Sequence, residues 1–285
     1  MQPIIDFFGT ISPAYRTAIL ATGLVGFWAF EGAIPLFSFK YSKIKHAVLN
    51  LFFIFTTLVV NLVFAFFIIK ACDFTTVNKF GLLYLANLPL WLHVMLGVLL
   101  LDFIGAYLIH WIQHKVKWMW KFHLIHHTDT KVDVTTSLRQ HPGESLFRVT
   151  FALLSILIAG LPVGVVMIYQ TLSALFAQIT HANIKTPAKI DRLLSYIFVT
   201  PKMHKVHHHY VQPLTDTNFG NIFSIWDRLF RTFVEVETKN LQYGIDPHMQ
   251  PEEHSSLKNL LAIPFQAYRA PGSSKFGEEK TSSSF

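Results

Sequence analysis

The sequence predicts an all-α integral membrane protein with about four membrane segments, including a helical hairpin, topped by a cytoplasmic helical cap that carries histidine boxes. Three observations carry this reading. Of 285 residues, 52% are hydrophobic, 15% aromatic and only 14% charged, a composition too apolar for a typical soluble domain. The apolar residues are gathered into runs of membrane length, roughly 20 residues being enough to cross the hydrocarbon core. The histidines, in contrast, cluster at the ends of those runs or outside them.

Residues 1–16 carry Pro3, Asp6 and Pro13 before their first positive charge at Arg16, so no cleavable signal peptide is expected. The first apolar run, about Thr17 to Phe37, is interrupted by Glu31 and Pro35 but is long enough to span. After a polar break from Lys40 to His46, the run from Ala47 to Ile69 is the cleanest membrane helix. A third run starts near Gly81 and continues past Leu108 into the first histidine pair. Between Leu146 and Thr180, two arms of about 15 residues flank Gly160-Leu-Pro-Val-Gly164. Arms that short predict a hairpin that dips into the bilayer and returns. The expected divisions are membrane helices over 1–109, the first two histidine boxes over 110–145, the hairpin over 146–181, a cap with the third box over 182–262, and a disordered tail over 263–285.

Lysines at 40, 43 and 45, and the basic residues Lys115, Lys117, Lys121, Lys131, Arg139 and Arg148, fall on the histidine-bearing side. Only Arg16, Lys70 and Lys79 face the other. The positive-inside rule makes the histidine side cytoplasmic, in the inner membrane of a bacterium or the endoplasmic reticulum of a eukaryote. The net charge of +7 sits beside apolar runs, which fits anionic lipid headgroups better than nucleic acid. The single cysteine, Cys72, excludes an intrachain disulfide.

Five imidazoles fall within the eighteen residues from His110 to His127. On helices, His110 and His114 lie one turn apart, and His123, His126 and His127 share a face at i, i+3, i+4. His204, His207 and His208 repeat that spacing. Such sets are costly to charge and awkward to bury neutral, and metal binding removes both difficulties. No Asp or Glu lies between Phe103 and Thr128 or between Arg192 and Thr215. Structural zinc leans on Cys, catalytic zinc usually takes three protein ligands, and soluble di-iron proteins use bridging Glu. The pattern therefore suggests two metals in an imidazole-rich shell, with iron favoured by chemistry and copper allowed by affinity.

The order His110-x-x-x-His114, His123-x-x-His126-His127, Arg139-x-His141-Pro142-x-Glu144, His181-x-Asn183, His204-x-x-His207-His208, Asn218-Phe-Gly and Trp226-Asp-Arg-Leu-Phe230 closely resembles the fatty acid hydroxylase and sterol desaturase superfamily. The resemblance covers about Leu101 to Phe233. It implies a membrane oxidoreductase with two non-haem iron ions and dioxygen as co-substrate, acting on a lipid such as a fatty acyl chain, sphingolipid, alkylglycerol or sterol. It implies as ligands His110, His114, His123, His126, His127, His204, His207 and His208, with His181 a ninth. Some relatives place a further His four residues before the one matching His181, where this chain has Ala177. Asp102, His141, Glu144 and Asn183 are candidates to orient ligand rings, Asp102 being equally suited to a polar neighbour of another kind. His46, His93, His248 and His254 stand alone and read as ordinary histidines, and Trp226, Asp227 and Arg228 read as a structural corner.

The chemistry expected is oxidation of an unactivated C–H bond, by hydroxylation or desaturation. No haem, flavin or ferredoxin motif is visible, so electrons are expected from a separate electron-transfer protein or reductase. The competing class is a histidine-rich membrane protein for divalent metal transport or storage. That function favours ligands near the bilayer midplane on broken helices, whereas these boxes follow or lie outside the apolar runs.

Overall fold

The computed structural model describes residues 1–238 and 241–270. Among them there is no β-strand, and four helical stretches are long and apolar enough to cross a membrane: Lys43–Tyr84, Leu90–Lys115, Pro142–Ala159 and Val163–His181. Two helices precede them, α1 (Gln2–Thr10) and α2 (Pro13–Ala33). The first bundle helix, α3 (Lys43–Val77), has 35 residues and is about 50 Å long, against a hydrocarbon core of about 30 Å. Its first turns therefore reach into the cap.

Helix α4 (Leu90–Asp102) continues through a π-helical stretch, Phe103–Leu108, into α5 (Ile109–Lys115). A π turn changes the phase of the side chains that follow it. The membrane-facing half and the ligand-bearing half of this long helix thus present different faces. The hairpin is α7 (Pro142–Ala159) and α8 (Val163–His181), with α6 (Lys117–His127) lying before it.

At one end of the bundle, the α3–α4 connection meets the hairpin turn. Gly81 and Gly160 both have positive φ, and a Cβ on either would run into the backbone around the other. Only glycine tolerates that conformation cheaply. His93 Nε2 also lies 3.3 Å from Gly160 O. The hairpin arms are 18 and 19 residues long, longer than the sequence suggested, because each helix continues into the histidine motif that bounds it. They run the length of the bundle and do not stop half way.

In lipid, bundle packing relies on close contact and hydrogen bonds more than on exclusion of water. Ile68, Cys72, Val94, Leu101, Val149, Ile156, Leu161 and Val165 form the bundle core, and Gly97 admits the Leu161 side chain. A smaller core joins Phe53 and Trp120 to Leu260 and Ile263 in the cap. Ile263–Phe265 forms a one-turn helix with Ile263 buried. Order thus extends into the segment expected to be a disordered tail, and 271–285 lies outside the described residues.

The first apolar run does not join the four spans. Arg16 and Glu31 lie within α2, and the Glu31 carboxylate is drawn into the cap. It accepts from Val134 N at 2.6 Å and Asn183 N at 2.7 Å and pairs with Lys43 Nζ at 3.4 Å.

Candidate metal centre

Four helix ends meet at the end of the bundle opposite Gly160. Helix α10 (Pro201–His207) begins at Thr200, whose hydroxyl accepts from Met203 N, with Pro201 at the first helical position. His208 lies just past its end, and the His208 N–H still donates to His204 O at 3.3 Å, which keeps the i, i+3, i+4 register. The C-terminus of α6 is held by fully buried Arg139, which donates to Ile125 O and Thr128 Oγ1. Buried Lys205 donates to His181 O. The backbone that carries the rings is thus itself anchored by cations.

Nine imidazoles converge in two buried groups. One contains His110, His114, His123, His127 and His207; the other contains His126, His181, His204 and His208. In each group the candidate ligand atoms lie within 4.8 Å of one another. All the ligand residues inferred from sequence are among them. His209 is not, because its ring is turned toward Tyr210 and its Nδ1 accepts from Gln242 N at 3.3 Å.

Proton positions follow from the partners, because a carbonyl oxygen only accepts. His110 Nδ1 donates to Phe219 O at 2.8 Å, His207 Nδ1 to Thr217 O at 2.7 Å, and His181 Nδ1 to Ala177 O at 2.7 Å. His123 Nδ1 lies 2.9 Å from Glu144 Oε1, an oxygen that also accepts from Arg148 Nε at 2.7 Å. A neutral ring has one N–H, so His110 Nε2 and His123 Nε2 both present lone pairs. They lie 2.9 Å apart. With no proton between them, only a cation makes that approach favourable.

Imidazole nitrogens about 2.0–2.1 Å from one metal stand roughly 3 Å from each other in adjacent positions. The same separation recurs around His181 Nε2, which lies 3.0, 3.1 and 3.2 Å from Nε2 of His126, His204 and His208. His114 Nε2 and His207 Nε2 are buried without a hydrogen-bond partner. Each such orphan costs about 1–3 kcal/mol, which a metal would relieve. Burial, reinforced by neighbouring imidazoles, holds His123, His127, His204, His207 and His208 well below the usual pKa of 6.5. At neutral pH these rings are uncharged, the form that binds metal. An all-imidazole donor set of this kind suits a first-row transition metal.

Residues 94–232, which carry the whole of this nine-ring arrangement, match the fatty acid hydroxylase family. The match takes in just under half of the chain. The sequence is 30% identical over 145 residues to ornithine lipid hydroxylase OlsE of Rhizobium tropici, covering 51% of this chain and 43% of that protein. It is 31% identical over 170 residues to alkylglycerol monooxygenase of Homo sapiens, covering 56% and 35%, and 28% identical over 154 residues to a cholesterol 25-hydroxylase-like protein of Danio rerio, covering 52% and 60%. The chain thus spans under half the length of the first two relatives. No solved structure matches.

Within the fatty acid hydroxylase region, the four residues expected to orient rings behave differently. Glu144 does so, at His123. Asp102 instead accepts from Ile222 N, Phe223 N, Trp226 Nε1 and Tyr169 Oη, so it fastens the cap to α4 and touches no ligand ring. His141 caps α7 by accepting from Gly143 N at 3.0 Å. Asn183 pairs with the Phe37 backbone.

The groups that orient His110, His114 and His207 were not read from sequence. Asp216, one residue beyond the acid-free interval, lies 3.1 Å from His114 Nδ1. Phe219 and Thr217 act through main-chain carbonyls, which leave no mark in a sequence. Their setting does leave one: Asn218 sits at φ 53 and bonds Met203 O and Val234 O, while the Asp227 carboxylate accepts from Phe219 N and Gly220 N. The motifs Asn218-Phe-Gly and Trp226-Asp thus aim a carbonyl at His110. His46, read as solitary, lies between Asp129, at 2.9 Å, and Asp133, at 3.1 Å.

Proposed function

We propose that the chain is a membrane lipid hydroxylase with a dinuclear non-haem iron centre. His110, His114, His123, His127 and His207 would hold one iron, and His126, His181, His204 and His208 the other. The observation that carries this is the pair of buried all-imidazole groups, in which His110, His123, His181 and His207 turn Nε2 inward with Nδ1 against an acceptor. Bound iron would supply the dioxygen-dependent oxidation of an unactivated C–H bond.

The protein's own contribution is positional. Phe219 O, Thr217 O, Ala177 O, Glu144 and Asp216 keep Nδ1 protonated on their rings, so that Nε2 is the nitrogen offered. Arg148 holds Glu144 in place, and burial excludes bulk water from the rings. The names of the three relatives support a lipid substrate and hydroxylation in preference to desaturation.

Placement at one end of four apolar helices supports a substrate whose chain lies in the bilayer and whose headgroup stays at the surface. We assign this end to the cytoplasmic face on the distribution of Lys and Arg, with electrons delivered there by a separate reductase or carrier protein. Metal transport or storage is disfavoured, since both groups are closed and lie at the helix ends and not on a path across the membrane.

The test is oxygen consumption by iron-loaded protein supplied with a reductant and candidate lipids, followed by mass spectrometry of the lipids. The expected result is lipid-dependent uptake with one oxygen atom gained by one lipid class. Uptake that does not respond to any lipid would refute the reading.

A further inference from the structure

Two pieces of the cap lie alongside the membrane helices, below the level of the histidines. Phe198 stacks on Phe223 and packs against Phe176 of α8. Phe176 lies five residues before His181, so this contact is about 7 Å down the helix from the ligand. Asn221 Nδ2 donates to Ser173 Oγ at 2.7 Å, eight residues and about 12 Å below His181. On the other side, Asp102 of α4, two turns before His110, takes both Ile222 N and Phe223 N, while Phe103 stacks on Phe230 and packs against Trp226.

A cap resting above the bilayer would not reach so far down its own membrane helices. What these segments turn outward is also apolar. Helix α9 (Ala188–Leu194) and the turn after it expose Ile190, Leu193, Leu194, Tyr196 and Ile197, and α11 (Ile225–Leu229) is followed by exposed Phe230. Leu193 is 72% exposed and Leu229 67% exposed, values expected in water only for scattered residues, not for a patch this dense. Lys189 and Arg192, both exposed, sit on the same short helix and line, with Leu193 and Tyr196, a hollow of about 280 Å³. Apolar side chains flanked by cations and a tyrosine are the composition of a segment lying in the boundary between acyl chains and headgroups.

We propose that residues 188–197 and 225–230 form a wedge embedded in the leaflet on the histidine side. Leu193, Ile197, Leu229 and Phe230 contact acyl chains, and Lys189 and Arg192 meet anionic headgroups. The occupant of this face is therefore the bilayer. The wedge rests on α4 and α8 spanning the membrane and is independent of which metals the histidines hold.

Cys72 is buried, so a single introduced cysteine can be labelled selectively in the full chain. Leu193→Cys, Leu229→Cys and, on exposed α12 (Pro251–His254), Glu252→Cys would each carry a fluorophore in vesicles of phosphatidylcholine with and without phosphatidylglycerol. The expected result is that labels at 193 and 229 are quenched several-fold more by nitroxide lipids than by aqueous iodide, and the label at 252 the reverse. Iodide quenching of 193 and 229 equal to that of 252 would overturn the wedge. Protection from both quenchers would overturn it too, since another protein would then cover the face. Phosphatidylglycerol should deepen lipid quenching at 193, and Lys189→Glu with Arg192→Glu should abolish that increment. An unchanged signal in both lipids would remove anionic headgroups from the proposal.

Discussion

The two imidazole groups differ in how their rings are held. In the group of five, His110, His114, His123 and His207 each have Nδ1 against a fixed acceptor, two of them carbonyls and two carboxylates. In the group of four, only His181 does, while Nδ1 of His126, His204 and His208 is buried without a partner. Groups of similar composition can therefore be built on different principles. The first is organised by the protein before any metal arrives. The second is held by the helices that carry it, and in the proposed centre a metal would complete its ring orientations. The second group also has one ring fewer, and Ala177 occupies the position where another turn of α8 would offer one.

The largest effect expected from this contrast is at His208. His208→Ala leaves the weaker group with three rings, and it should lose its metal by well over the tenfold typical of a supporting contact, abolishing turnover while the five-ring group stays loaded. Metal analysis of the purified variant measures this, and loss of both metals together would show that the groups do not fill independently.

Next is Glu144→Gln, which disturbs the orientation of His123 and should weaken metal held by the five-ring group by about tenfold. Competition with a chelator would read it, and equal weakening of both groups would erase the contrast.

Acid should expose the shared weakness of the metal-free protein. Burial depresses His123, His126, His127, His204, His207 and His208, His126 to about 3. Above about pH 6.5 neither the folded nor the unfolded chain protonates these rings. Below it the unfolded chain binds protons that the folded chain refuses, so stability falls with falling pH. Thermal melts of metal-free protein should drop steeply from pH 7 to pH 5. A flat profile without metal would mean that the rings reach water.

The smallest effect is expected at His209. Although adjacent to His208, it belongs to neither group, and His209→Ala should leave metal content near normal. An emptied site would mean that the register of α10 differs from that described.

The helices and rings were legible in sequence because both obey short periods. Spacings of three and four residues set ligand faces, and runs of about 20 apolar residues set spans. What was illegible depends on partners far along the chain. His110 and Phe219 are 109 residues apart, and Asp102 serves backbone groups some 120 residues later. The hairpin arms looked short because His141, Pro142 and Glu144 read as motif residues, while the chain also uses them as the first turn of α7. Glu31 broke an apolar run in a way that looked tolerable in a span, yet its carboxylate is consumed by the cap.

The distance between His110 and its acceptor carries a consequence for biogenesis. Synthesis delivers α3 and α4 to the membrane well before Asp216, Thr217, Phe219 and Asp227 exist as part of the chain. Until those residues arrive, His110 and His114 have no acceptor for Nδ1, and the loop that Asp102 fastens has not been made. On the proposed function, metal loading therefore follows completion of most of the chain, and the metal would have to reach a protein already resident in a membrane.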